Sequence, residues 1–412
     1  MNVHADRFPL FDSLRAIAAL SVLAFHAAFI GRVFASDSFV RPYMSHLDVG
    51  VTVFFMISGF LLYRPFVKGA HDVPAYAWRR FLRIVPAYWV ALTVIALWFG
   101  FHKTFPNGGE PLYYAFGQIY SGPRSPWGIP QAWTLCVEVT FYAFLPLWAW
   151  LTRRLGTGAQ LGALAGLWLA SLAYKVWALK QVAPTDLGAA PYLQPLPNFL
   201  DQFAIGMALA VLSVRWERDG AAPRAADWLR RHDWVPWVGA AVAFWVVSTR
   251  IGFTGELLQH FSKRMFLGKH ELYTLVAVGV LLPAVFAEPG RGVAGRVLAT
   301  RTLSYLGLIS FGMYLYHLAV IRQVDDWLGS PLDASLGVRV AVYAALGLIG
   351  ATAIASASYY VVERPSLRLK RLVNPPSPEE RREATEEVAP ASATPASTAS
   401  ATSAGWRNRG TP

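Results

Sequence analysis

With 412 residues, 55% of them hydrophobic and only 15% charged, the chain falls well short of the roughly one quarter charged residues of an ordinary soluble protein. The formal charge of +12 does not point to nucleic acid, because the basic residues stand in short clusters between apolar runs, which is the pattern of membrane topology. A single cysteine, Cys136, excludes an intramolecular disulfide and a cysteine-built metal site.

Ten apolar segments are predicted, roughly 10–30, 48–66, 84–101, 133–151, 160–180, 199–214, 234–250, 271–287, 303–321 and 336–361. They define an all-α polytopic membrane helix bundle. Lys and Arg gather in alternate connections, most densely at Arg79, Arg80 and Arg83, between Arg215 and Arg231, and at Arg291, Arg296 and Arg301. That bias predicts a multi-pass protein of the plasma (inner) membrane with both termini cytoplasmic, against the counter-signal of Lys263 and Arg264. Asp12 and Arg15 interrupt the first apolar run, which argues against a cleaved signal peptide. Beyond about Asn374, Pro, Ala, Ser, Thr and Glu dominate. One membrane domain, 1–371, is therefore expected to precede a disordered cytoplasmic tail, 372–412.

The first segment carries two ionisable residues, Arg15 and His26. Such groups inside a membrane helix are costly unless satisfied within the protein, which makes them functional candidates. Eleven positions separate them, so on a helix they share one face, about 16 Å apart along the axis. The second segment has Asp48 at its outer end and Ser58-Gly59 in its middle, where small residues read as a helix-packing contact.

Arg80 and Arg83 precede the third segment, three positions apart and on one helical face. Two readings stay open for them: a membrane-surface anchor, or a phosphate clamp built from paired guanidiniums. The connection from His102 to Gln131 is rich in Pro, Gly, Tyr and Trp. A connection of that length is usually functional or mobile.

The fourth segment opens with Trp133 and carries Glu138 well inside it. A carboxylate there either ties two helices together or orients the imidazole of His26. Cys136, off that face, reads as packing. Asp201 and Gln202 at the outer end of the sixth segment cap the helix or touch substrate. His317 follows Tyr314 by one turn in the ninth segment. Glu363, before Arg364-Pro365, most simply ends the last helix at a basic anchor.

Taken together these stretches resemble the acyltransferase-3 family of integral membrane acyltransferases. The resemblance rests on Arg-x10-His (Arg15, His26), whose arginine lies in the leader FDSLRAIAAL, on GVTVFFMISGFLL, and on Arg-x2-Arg (Arg80, Arg83) before Pro86 and Tyr88-Trp89. WTLCVEVTFY with Glu138, FGMYLYH with His317, and YYVVERP complete it, in the family's order over roughly residues 8–371. One departure is Thr134, where the family more often has Ser; the hydroxyl is kept.

The resemblance implies transfer of an acyl group, often acetyl, from cytoplasmic acyl-CoA to a hydroxyl of a carbohydrate or related acceptor. That acceptor would be a glycan, a lipid-linked sugar or a secondary metabolite. No tightly bound cofactor and no metal are expected; acyl-CoA, typically acetyl-CoA, is a co-substrate, and membrane lipids are the other partner. Arg15 and His26 become the leading catalytic pair, Glu138 joins the reaction centre, and Arg80 and Arg83 contact the phosphates of coenzyme A. Trp133, His317 and Asp48 are expected to bind substrate. The expected mechanism has His26 as general base, its tautomer held by Glu138. The rival reading is a proton-coupled membrane transporter or exporter, which also uses embedded Arg, His and Glu.

Overall fold

The computed structural model describes residues 8, 10–125, 127–182, 190–220, 224–252, 262–286, 289–329 and 332–372. From residue 373 onward the expected tail lies outside them. The helices below belong to a compact unit that ends at Lys370, and among the described residues there is no strand.

Each of the ten predicted segments is helical. We number the principal helices α1 (Leu10–Ile30), α2 (Gly50–Val67), α3 (Val73–Phe99), α4 (Trp133–Thr152), α5 (Thr157–Gln181) and α6 (Leu200–Asp219). The remaining five are α7 (Val235–Arg250), α8 (Lys263–Phe286), α9 (Arg301–Leu308), α10 (Ser310–Leu328) and α11 (Leu336–Ser358). Seven stretches, carrying α1–α5, α8 and α11, are long and apolar enough to cross a membrane, and the bent pair α9–α10 makes an eighth if taken as one span. The chain is a multi-pass membrane protein. Of the other two predicted spans, α7 has only 16 residues, and α6 has Asp201 in its first turn and runs out into Arg215–Asp219.

α1 packs against α2, α9, α10 and α11. Close approach is what the small residues supply. A Cβ on Gly59 would stand 2.3 Å from the carbonyl oxygen of Phe203, and one on Gly206 2.2 Å from that of Met56. α2 and α6 thus cross backbone to backbone, the contact expected of Gly59. Phe203 then stacks between Phe55 and Phe141, with centroids 4.9 and 4.0 Å away, joining α2, α4 and α6.

The ninth predicted segment is not one straight span. α9 and α10 meet at a 75° bend around Ile309. Gly307 lies against the Asp12 carbonyl of α1, where a Cβ would come within 1.8 Å. The Ser310 hydroxyl donates to the carbonyl of Gly307 at 2.8 Å, satisfying a backbone group beside the bend.

The last helix also departs from expectation: it does not stop at Glu363. A π turn, Tyr359–Glu363, leads directly into a further helical turn, Arg364–Arg368. The Arg364 N–H bonds the Tyr359 carbonyl. Pro365 falls in the first turn of the next piece, where its missing N–H is not needed.

Candidate active site

Two of the cavities among the described residues take the predicted site residues, all but His317. The first, about 230 Å³, is lined by Arg15 of α1, Ser58 of α2, Arg80 and Arg83 of α3, and Glu138 and Tyr142 of α4. α3 begins at Val73, with the Asp72 carboxylate accepting the Ala75 N–H as an N-cap. Arg80 and Arg83 therefore stand on a continuous helix, not on a separate surface stretch. Arg15 donates to Asp12 one turn back at 2.7 Å. Arg83 is 3.5 Å from the carboxylate of Glu363, which is 2% exposed. Arg80 lies over the Tyr142 ring, and its Nε is buried with no partner among the described residues. Arg15 and Arg83 thus each have a carboxylate partner, Asp12 and Glu363, while Arg80 has no ion pair among the described residues, which makes it the guanidinium best suited to a phosphorylated ligand.

The second cavity, about 420 Å³, is lined by His26 of α1, Asp48 in the turn before α2, Trp133 at the start of α4, Gln202 of α6, and His270 and Tyr273 of α8. Asp48 accepts the Tyr273 hydroxyl and meets Lys269 Nζ at 3.1 Å. Trp133 packs against Phe55 and Phe199. Val51 and Tyr314 line both cavities, so the two abut. The Tyr314 hydroxyl is pinned there, donating to the Gln131 carbonyl at 3.0 Å and lying 2.8 Å from Thr134 Oγ1. The hydroxyl kept at Thr134 thus has a partner.

The expected pairing of His26 with Glu138 is not what the structure contains. Ser58 and Tyr142 both donate to Glu138 Oε1, each at 2.7 Å, which turns the carboxylate into the arginine cavity. The partner of His26 is His317: Nε2 of His317 is 3.1 Å from Nδ1 of His26. His317 was expected to bind substrate, but it is 1% exposed and both its ring nitrogens are engaged, Nδ1 with the Met313 carbonyl at 3.0 Å. It backs His26 and has no nitrogen left for an acceptor.

The two rings fix each other's tautomers. A carbonyl can only accept, so His317 carries its proton on Nδ1 and offers a lone pair at Nε2. His26 Nδ1, 2.9 Å from the Val22 carbonyl and facing that lone pair, must be the protonated nitrogen. Nε2 of His26 is then the unprotonated, basic nitrogen, on a residue that lines the second cavity.

Sequence reasoning read Ser58 only as helix packing, and missed Tyr142 and Gln131. Gln131 Nε2 donates to the carbonyls of Tyr314 and Leu315, both at 3.0 Å. Tyr142 follows Glu138 by one turn, a spacing that could have flagged it; Gln131 sits in a short 3-10 turn before α4 and carries no periodic signal.

Residues 9–360 match the family model described as an acyltransferase domain. The chain belongs to this family, acyltransferase-3, and is an acyltransferase. It is 29% identical over 329 residues to the exopolysaccharide production protein ExoZ of Rhizobium meliloti, covering 78% of this chain and 90% of that protein. It is 25% identical over 387 residues to the acyltransferase MdmB of Streptomyces mycarofaciens, covering 88% and 92%. Similarity to the peptidoglycan O-acetyltransferase OatA of Listeria monocytogenes, 23% over 340 residues, takes in 76% of this chain but only 49% of that protein. No solved structure matches the chain significantly.

Proposed function

We propose that this acyltransferase moves an acyl group, acetyl in the simplest case, from acyl-CoA to a hydroxyl of a carbohydrate or related acceptor, with His26 as the base. The observation that carries the reading is the His26–His317 contact. It leaves a neutral imidazole nitrogen bare beside a cavity that adjoins an arginine cluster. The coenzyme's phosphates would lie against Arg80 and Arg83, with Arg15 toward the pantetheine arm, and the thioester would pass Tyr314 to reach His26. The acceptor would enter the second cavity, beside Trp133 and Asp48. Relatives named for exopolysaccharide production and for peptidoglycan O-acetylation favour a carbohydrate acceptor.

His26 Nε2 takes the acceptor's hydroxyl proton as the oxygen attacks the thioester carbonyl carbon. The C–S bond breaks, and the departing thiolate of coenzyme A takes that proton back from the imidazolium. Lysine and arginine placement supports a plasma-membrane protein with both termini cytoplasmic, which sets the arginine cavity toward the cytoplasmic pool of acyl-CoA. The test is His26→Ala in purified membranes supplied with radiolabelled acyl-CoA. Transfer should fall by about 10²- to 10⁴-fold, the usual cost of losing a general base, while the protein still inserts. Full activity in that variant overturns the reading. Capture of an acyl group on His26 with acyl-CoA alone would replace direct attack by a two-step transfer.

A further inference from the structure

The His26 cavity contains a second imidazole that the mechanism does not use. His270 is 8% exposed, lines that cavity, and has one ring nitrogen 3.2 Å from Asp201 Oδ2 and 3.0 Å from the Gln202 amide. Asp201 is wholly buried and in turn holds Lys175 Nζ at 2.6 Å, also wholly buried, and the Ser171 hydroxyl at 3.1 Å. A buried carboxylate between a lysine and a histidine is tolerable only with close geometry and further hydrogen bonds, and both are present. The network fixes His270 with its proton on this nitrogen, toward Asp201, so Gln202 turns its amide oxygen, the end that can accept, to the same N–H. The other ring nitrogen has no partner among the described residues.

Around the same cavity stand two amides with unmatched ends. Gln131 and Asn198, 5% and 1% exposed, each line it. The side-chain oxygens of Gln131 and Asn198 have no partner among the described residues. The amide nitrogens of Gln131 and Asn198 are committed to backbone carbonyls, so their free atoms are oxygens, acceptors without donors. Buried acceptors of this kind call for hydrogen-bond donors from a ligand. Several hydroxyls on one small body supply them; a hydrocarbon chain does not.

We infer that His270, held by Asp201, is an acceptor-binding residue that takes a hydrogen bond from one hydroxyl of a polyhydroxylated acceptor, with the amide oxygens of Gln131 and Asn198 receiving others. Asp201 and Lys175 act through His270 and are positioning residues. The inference rests on the second cavity being the acceptor's. It concerns binding alone, so it is measured without any donor.

The experiment is titration calorimetry on the full chain in a detergent without a sugar head group. The probes are the methyl glycosides of glucose, galactose, mannose and N-acetylglucosamine, and separately desulfo-coenzyme A. The wild type should bind at least one glycoside. His270→Ala should weaken that binding by about tenfold or more, the scale of one hydrogen bond lost from a buried group, and leave desulfo-coenzyme A within about twofold. His270→Asn, which keeps an oxygen near the free nitrogen, should recover part of the loss. Asn198→Leu, outside the charged cluster, should weaken the same glycoside and serves if His270→Ala does not fold. Unchanged glycoside binding in His270→Ala, or equal losses for glycoside and nucleotide, overturns the role of His270 alone. A wild type that binds none of the glycosides overturns the acceptor cavity with it.

Discussion

At the scale of single residues, the division of labour between His317 and Glu138 makes a sharp prediction. If His317 holds the tautomer of His26, His317→Ala should lower kcat and move the acidic limb of the pH–rate profile, since it removes the neighbour of the base. Glu138→Gln should leave that limb in place and change the dependence on acyl-CoA instead, because its carboxylate is bonded by Ser58 and Tyr142 on the arginine side. A shifted limb in Glu138→Gln and none in His317→Ala would reverse the assignment. The sequence made both residues visible as embedded ionisable groups. It could not say which one faced His26, since that depends on the rotation of α4 and α10 about their own axes. Hydrophobic periodicity fixes that rotation poorly in helices apolar on most sides. Gln131 and Asn198 were harder still: each sits in a 3-10 turn just before a helix, where no repeating pattern marks a side chain as inward.

At the scale of elements, α3 carries its two arginines on one face of an unbroken helix. Replacing both, Arg80→Ala with Arg83→Ala, should raise the KM for acyl-CoA far more than it lowers kcat. An unchanged KM would return them to a membrane-anchoring role. The α2–α6 crossing permits a stability test independent of chemistry. Gly206→Leu has nowhere to put its side chain, since even a Cβ would lie 2.2 Å from the Met56 carbonyl. It should destabilise the fold by at least about 1–3 kcal/mol, read as a lowered Tm in detergent. The apolar runs announced the helices, but the bend at Ile309 and the π turn at Tyr359–Glu363 were not legible. Both depend on what lies opposite: the Asp12 backbone against Gly307, and Arg83 against Glu363.

At the scale of the whole molecule, adjoining cavities predict sidedness. In sealed vesicles, acyl-CoA should be consumed only when supplied to the face that bears the arginine cavity, and a membrane-impermeant acceptor should be modified only from the other face. Labelling from a single face for both substrates would contradict the two-cavity arrangement. The bent pair α9–α10 has one more consequence. Its shorter arm rests on α1 at Asp12, beside Arg15, and its longer arm meets α1 at His26. Both ends of the opening helix are thus gripped by a single angled clamp. The clamp fixes where α1 sits in the bundle, while the helix's own rise fixes the separation of Arg15 and His26, about 16 Å; on the proposed mechanism that rigid span is the distance a thioester arm has to cover.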